Sequence, residues 1–257
     1  MIAMRLLILL IIITGFSVCL RAQINPEKVT IVRDSFGVPH IFAATDPEVS
    51  YGLAWAHAED DFKSLQELIW PVKGLTGKVA GKAGAAADYA YRLFRCREVT
   101  EERWHLLSPA FVKLIEGYIQ GINDYAKANP GEVVAKGTFP ISAKEYVSAS
   151  VLALTVFNGA DRALAQIFNN TIPEADFAAT EKGSNAFSIH GNKTTTGEAM
   201  LVVNAHQPNT GSQAFYEAHV HSDEGWNALG GLLAGGPCIL HGVNEHLGWA
   251  HTVNLVD

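Results

Sequence analysis

Gly183-Ser184 stands where an acidic, polar stretch, TIPEADFAATEKG, gives way to the strand-like run NAFSI. A serine at such a border is either turn chemistry, which Gly-Ser commonly supplies, or a nucleophile. The second use needs a base within reach. Histidine is the usual base, and the C-terminal part of the chain is dense in it, with His190, His206, His219, His221, His241, His246 and His251. HVH at residues 219–221 puts two imidazoles on one strand face, a pair that can bind zinc. No third ligand stands at a recognised spacing, however, and the chain has no HExxH.

These residues need a frame. VTIVRDSFGVPHIFAAT reads as two short strands around a turn at Gly37. Asp46-Pro47 then supplies an N-cap and a proline in the first helical turn, and the helix that follows is expected to end near Pro71. Glycine and alanine crowd residues 74–87, which predicts a loop or a loosely built helix pair. Ser108-Pro109 opens a clearer helix, with Phe111, Leu114, Ile115, Tyr118, Ile119, Ile122 and Tyr125 on one face. Ser142 with Glu145 is a capping box at the head of a third, YVSASVLALTVF.

From residue 171 the texture changes to an exposed connector. Extended character dominates from Ser184, in NAFSI, AMLVVNAH, QAFYEAHV, PCILHGV and GWAHTVNLV. Helices, then a connector, then consecutive strands predict an α+β architecture. The chain ends at Asp257 inside an apolar strand-like run, which reads as a fragment of a longer protein.

The 257 residues are ordinary globular material, 48% apolar and 18% charged, with a formal charge of -7. Residues 1–22 differ: an early Arg5, an apolar run from Leu6 to about Phe16, then smaller residues to Ala22. That is a secretory signal with a cut after Ala22, so the protein is expected to be periplasmic or secreted, with no membrane span once the signal is gone. The cut removes Arg5 and Arg21 and no acid, leaving an acidic protein without a basic stripe, a poor partner for nucleic acid. Cys96 and Cys238 then remain, and the sequence leaves open whether they pair.

IVRDSFGVPHIFA with YGLAWAHAEDDFKSLQ resembles the N-terminal signature of the penicillin acylase family. GSNAFSIHGNKTTTGEAMLVVNAHQP resembles that family's processing site and first β-subunit strands, and GGPCILHGVNEHLGWAHTVN resembles its oxyanion stretch. The matches run in the family's order over residues 29–257. The resemblance implies an N-terminal-nucleophile amidase with an αββα layered fold. Residues 23–170 would form a mostly helical α-subunit part, residues 171–183 a spacer, and residues 184–257 the start of the β-subunit sheet.

It also implies a chemistry. The Ser184 hydroxyl would attack the Gly183 carbonyl in an N-to-O acyl shift, and hydrolysis of the ester would free Ser184 as a new N-terminus, leaving two subunits from one precursor. Glycine suits the preceding position because it tolerates a distorted backbone. A free α-amino group titrates at roughly 7.7–8.0, so it can take the hydroxyl proton itself, and no cofactor is required. By the same resemblance His206 would orient Ser184 and the bound acyl group. The Val253 backbone N–H would donate to the oxyanion, and a second donor would lie beyond residue 257. Asp257 would align with a calcium-binding aspartate, although the expected glutamate partner is missing between Arg162 and Asn170, where asparagines stand.

The expected substrate is a small N-acyl amide with a hydrophobic acyl group. His206 leans towards acyl-homoserine lactones or long-chain acyl amides, with penicillin or cephalosporin side chains as the alternative. Most of the acyl pocket is expected beyond residue 257. Two other classes compete, a zinc hydrolase built on HVH and a non-catalytic binding module. A degenerate copy would have no need of the Gly183-Ser184 pair.

Overall fold

The computed structural model describes residues 23–168 and 184–252. The expected signal at 1–22, the connector at 171–183 and the segment 253–257 lie outside the described residues.

The N-terminal hairpin forms as the sequence predicts, with β1 at Thr30–Arg33 and β2 at Pro39–Ala43 turning through Gly37. Helix α1, Asp46–Lys73, opens on a capping box. The Glu48 N–H donates to Thr45 Oγ1 at 3.4 Å and the Thr45 N–H donates back to Glu48 Oε2 at 3.0 Å. Inside α1 the backbone breaks at Asp61 (φ -152°, ψ 65°), whose carboxylate accepts from the Ser64 N–H at 3.1 Å. Asp61 therefore caps the second half of the helix. The helix ends near Pro71, as expected, at Lys73. Its last residue, Lys73, is held by Glu145 at 2.7 Å and the Pro140 carbonyl at 3.1 Å.

Residues 74–87 take the second of the two expected forms, the loosely built helix pair. Helix α2, Thr76–Leu93, is two helical pieces joined by a kink at Gly81. Helices α3 (Cys96–Arg103), α4 (Pro109–Ala128), α5 (Ala143–Phe157) and α6 (Ala160–Phe168) follow. Ser108 caps α4 by accepting from the Phe111 N–H at 3.2 Å, and the Ser142–Glu145 capping box heads α5. Burial raises the Glu145 carboxyl, but hydrogen bonds from Lys73 and Ser142 outweigh it and hold the group below the usual range.

Helices α1 and α4 cross at a glycine notch. A Cβ on Gly117 would lie 2.2 Å from the Pro47 carbonyl oxygen, and one on Gly121 would lie 2.4 Å from that of Tyr51. The spacing of four residues on both helices keeps the notch on one face. Close approach lets Leu53, Ile115, Tyr118 and Ile122 bury fully with Ile41, Val220 and Leu232 of the sheet in one core.

The main sheet has the order β1-β2-β5-β6-β7-β8, with β5 at Phe215–Ser222, β6 at Asn227–Leu233, β7 at His241–Val243 and β8 at Gly248–Trp249. Every pairing is antiparallel except β2 with β5, which run parallel with Ile41 opposite Val220. The N-terminal hairpin thus belongs to the same sheet as the C-terminal strands, so the two halves of the chain share one core. Strand β6 does not stand out in the sequence because Gly230 and Gly231 interrupt it. A Cβ on Gly230 would sit 2.0 Å from the His241 carbonyl oxygen, so close pairing with β7 requires the glycine. The architecture is mixed helix and sheet, as α+β requires.

Candidate active site

Strands β3 (Asn185–Ile189) and β4 (Met200–Asn204) form a separate antiparallel pair in which Asn185 faces Asn204. One step beyond that register lies Ser184. Its Oγ donates to the Ala205 carbonyl at 3.1 Å, so the hydroxyl is already held by the strand opposite. His206 follows Ala205 in the left-handed region (φ 43°), uncommon for a residue with a side chain and found several-fold more often in histidine than in most others. The turn aims the imidazole back across the pair. Its Nε2 accepts from Asn185 Nδ2 at 3.1 Å. The expected partnership of His206 with Ser184 is therefore indirect: the ring holds the residue after the serine, and the carbonyl before the ring holds the serine itself.

Ser184 and Ala205 line a cavity of about 470 Å³. One wall comes from α5 through Leu152, Val156 and Phe157, another from Phe215 and Leu240 of the sheet region. Helix α5 is fixed over the cavity by two hydroxyl contacts. Tyr146 donates to the Gly235 carbonyl, and Ser148 lies 2.9 Å from the Tyr91 hydroxyl. Complete burial pushes the Tyr146 phenol well above its usual range, so it stays a neutral donor. The residues of both walls line an apolar volume beside the serine. Its clue was the third helix: YVSASVLALTVF is apolar on more than one face, and Leu154 and Phe157 remain exposed after the core is built.

His241 and His251 also line the cavity, with ring centroids 5.5 Å apart and planes at 23°. Burial, with His251 alongside, pushes the His241 imidazole below the usual histidine range. The sequence counted both among many histidines and could not single them out, since β7 and β8 bring them together.

His219 of the HVH pair is otherwise engaged. His219 Nδ1 lies 3.1 Å from His40 Nδ1 and its Nε2 lies 2.9 Å from Asn227 Oδ1. Among the described residues, no group of three or more His, Cys, Asp or Glu side chains is placed to hold a metal ion. Gly183, Val253 and Asp257 lie outside the described residues, so the donors expected for calcium are not on view and no step is routed through it. Cys96 is buried and Cys238 exposed, and both are free thiols. No helix among the described residues is long and apolar enough to cross a membrane.

A family model described as penicillin amidase matches residues 28–257. The chain belongs to that family. It is 27% identical over 279 residues to an acyl-homoserine lactone acylase PvdQ of Pseudomonas savastanoi pv. phaseolicola, covering 93% of this chain and 36% of that protein. It is 21% identical over 285 residues to an acyl-homoserine lactone acylase QuiP of Pseudomonas fluorescens, covering 90% and 35%. The chain thus spans about a third of the length of these curated relatives. Among solved structures it is similar to a thermostable penicillin G acylase from Alcaligenes faecalis, with a TM-score of 0.43 and 23% identity over 57% of this chain and 76% of that one.

Proposed function

We propose that the whole protein is an exported, self-processing amidohydrolase that removes hydrophobic acyl groups from N-acyl amides, with Ser184 as an N-terminal nucleophile on an αββα layered fold. One observation carries this reading: the Ser184 hydroxyl, fixed on the Ala205 carbonyl, lines an apolar cavity of about 470 Å³. A nucleophile beside an empty hydrocarbon-lined volume suits an acyl chain that must lie next to its own scissile carbonyl.

The chemistry proceeds in two stages. In the precursor, Ser184 Oγ attacks the Gly183 carbonyl, the peptide bond becomes an ester, and water cleaves it to leave a Gly183 carboxylate and a free Ser184 amine. In the mature enzyme that amine accepts the hydroxyl proton, directly or through one water, as Oγ attacks the substrate amide. The Val253 N–H supports the oxyanion, a contact of a kind worth about 2.7–4 kcal/mol of transition-state stabilisation. The leaving amine departs with the proton, and water releases the acid from the acyl-enzyme. Asn185 and His206 act as positioning residues, together fixing the end of the β3–β4 pair that frames Oγ.

The curated relatives are named for acyl-homoserine lactones, which pairs with a hydrocarbon-lined cavity to favour lactone amides or long-chain acyl amides. The full-length protein, expressed with its export signal, should hydrolyse N-acyl homoserine lactones faster than β-lactam amides with aromatic side chains. The reverse order would overturn the substrate assignment. Ser184→Ala should abolish both activities, and retained turnover would overturn the nucleophile.

A further inference from the structure

His40 on β2 and His219 on β5 stand directly opposite each other in the parallel pairing. Both are half-buried, and their Nδ1 atoms meet at 3.1 Å. This pairing joins the N-terminal hairpin to the rest of the main sheet. The neighbours decide where the hydrogens lie. Asn227 donates through Nδ2 to Glu245 Oε1, since an ionised carboxylate only accepts. That orientation leaves Asn227 Oδ1 facing His219 Nε2 at 2.9 Å, so Nε2 carries the hydrogen. Neutral His219 therefore presents a bare lone pair at Nδ1, and His40 Nδ1 donates to it.

We infer that the His40–His219 pair is a pH-sensitive latch, closed with up to one added proton and forced open by two, that frees the N-terminal hairpin from β5 in acid. The first proton is accommodated on His40, whose Nε2 lies 3.7 Å from Asp34 Oδ2. Desolvation raises the Asp34 carboxyl, but the Phe36 and Val38 N–H groups, donating to it at 2.8 and 3.0 Å, outweigh that and keep it ionised. A second proton has to go on His219 Nδ1, the acceptor atom. Two N–H groups and two cations would then meet at 3.1 Å, so the pair titrates as one coupled unit. Phe42, edge-on to the His219 ring (centroids 5.6 Å apart, 75°), and Asn227 on Nε2 oppose rotation of that ring out of the contact. The other ionisable groups on this strand face are Glu217 and His221 of β5, the latter tilted against Phe42, with Glu245 reached through Asn227. Arg33 of β1 is turned to Glu59 and Asp60 on α1. The inference stands apart from the acylase reading. Strands β2 and β5 lie on opposite sides of the Gly183–Ser184 bond in sequence, so on that reading the latch joins two separate chains.

The test is hydrogen–deuterium exchange of the full-length protein at neutral and mildly acidic pH, corrected for the intrinsic pH dependence of exchange. An opening that takes up one extra proton gains about tenfold per pH unit below about pH 6.5. Protection of β2 and β5 should therefore fall by at least about tenfold between about pH 7 and 5. In His219→Gln, which offers an acceptor and a donor but takes no proton, that fall should shrink by about tenfold. His57 and the remaining titrating groups are common to both proteins, so the difference reads the pair alone. His40→Gln should flatten the profile from the other side, and it decides the matter if His219→Gln does not fold. Wild-type protection that stays constant over the range would overturn the inference, as would a folded variant that keeps the full fall.

Discussion

Asn185 Nδ2 donates to His206 Nε2 across 3.1 Å, so the histidine that the family resemblance aims at the nucleophile is tied to the residue beside it. Hydroxyl and imidazole are positioned through one strand pair rather than through each other. The arrangement makes Asn185 and His206 one unit.

A double-mutant cycle tests that unity. Asn185→Ala and His206→Ala should each lower kcat/KM by roughly fivefold to tenfold, the worth of one net hydrogen bond, and the double variant should lose little more. Multiplying losses would mean that the two residues act independently.

The glycine notch between α1 and α4 makes a prediction about stability. Alanine at Gly121 would gain about 1 kcal/mol in helix propensity. Its Cβ would nevertheless meet the Tyr51 carbonyl oxygen at 2.4 Å, and overpacking of a tight crossing costs about 1–3 kcal/mol. The clash should win, lowering the urea midpoint of Gly121→Ala. A raised midpoint would show that the two helices can separate freely.

Asp60 joins three elements. It accepts from Arg33 Nη1 on β1 at 2.8 Å and from the Tyr216 hydroxyl on β5 at 2.6 Å, from its own place on α1. Arg33 and Asp60 are partly exposed, so solvent discounts the ion pair. Tyr216→Phe should cost about 1 kcal/mol and Asp60→Ala about 1–2 kcal/mol in denaturant unfolding. Equal losses in the two variants would assign the whole effect to the phenol.

His57 supplies a pH dependence. It is buried and stacked flat on Tyr216, with centroids 4.1 Å apart and planes at 3°. Burial pushes its pKa down to about 4 from 6.5, against the pull of Asp61 and Asp60. The unfolded chain therefore takes up a proton between pH 6.5 and 4 that the folded protein refuses. Stability is full above the unfolded value and falls as pH drops towards 4, by about 3 kcal/mol for this group. Replacing His57 by Leu should flatten that part of the stability–pH curve, and an unchanged slope would contradict the assignment.

Much of this was legible in the sequence where one local cause dominates. Ser108-Pro109 and the Ser142–Glu145 box mark helix starts because capping is a matter of a few adjacent atoms. The helical spacing of Ile115, Tyr118, Ile122 and Tyr125 gives the buried face of α4. What stayed hidden depends on distant partners. The contacts of Lys73, the last residue of α1, with Glu145 and the Pro140 carbonyl are of this kind. Strand β6 was invisible because its glycines are set by the approach of β7. Ser184 was singled out as a candidate by family resemblance. The Ala205 carbonyl that holds it and the His241 ring that shares its cavity are contacts across strands, which no local pattern encodes.

The most direct measurement is the N-terminal sequence and intact mass of the mature, full-length protein. The account predicts a chain beginning Ser-Asn-Ala-Phe-Ser in the wild type and a single uncut chain in Ser184→Ala. An active wild-type enzyme in which the Gly183–Ser184 bond is intact would contradict it.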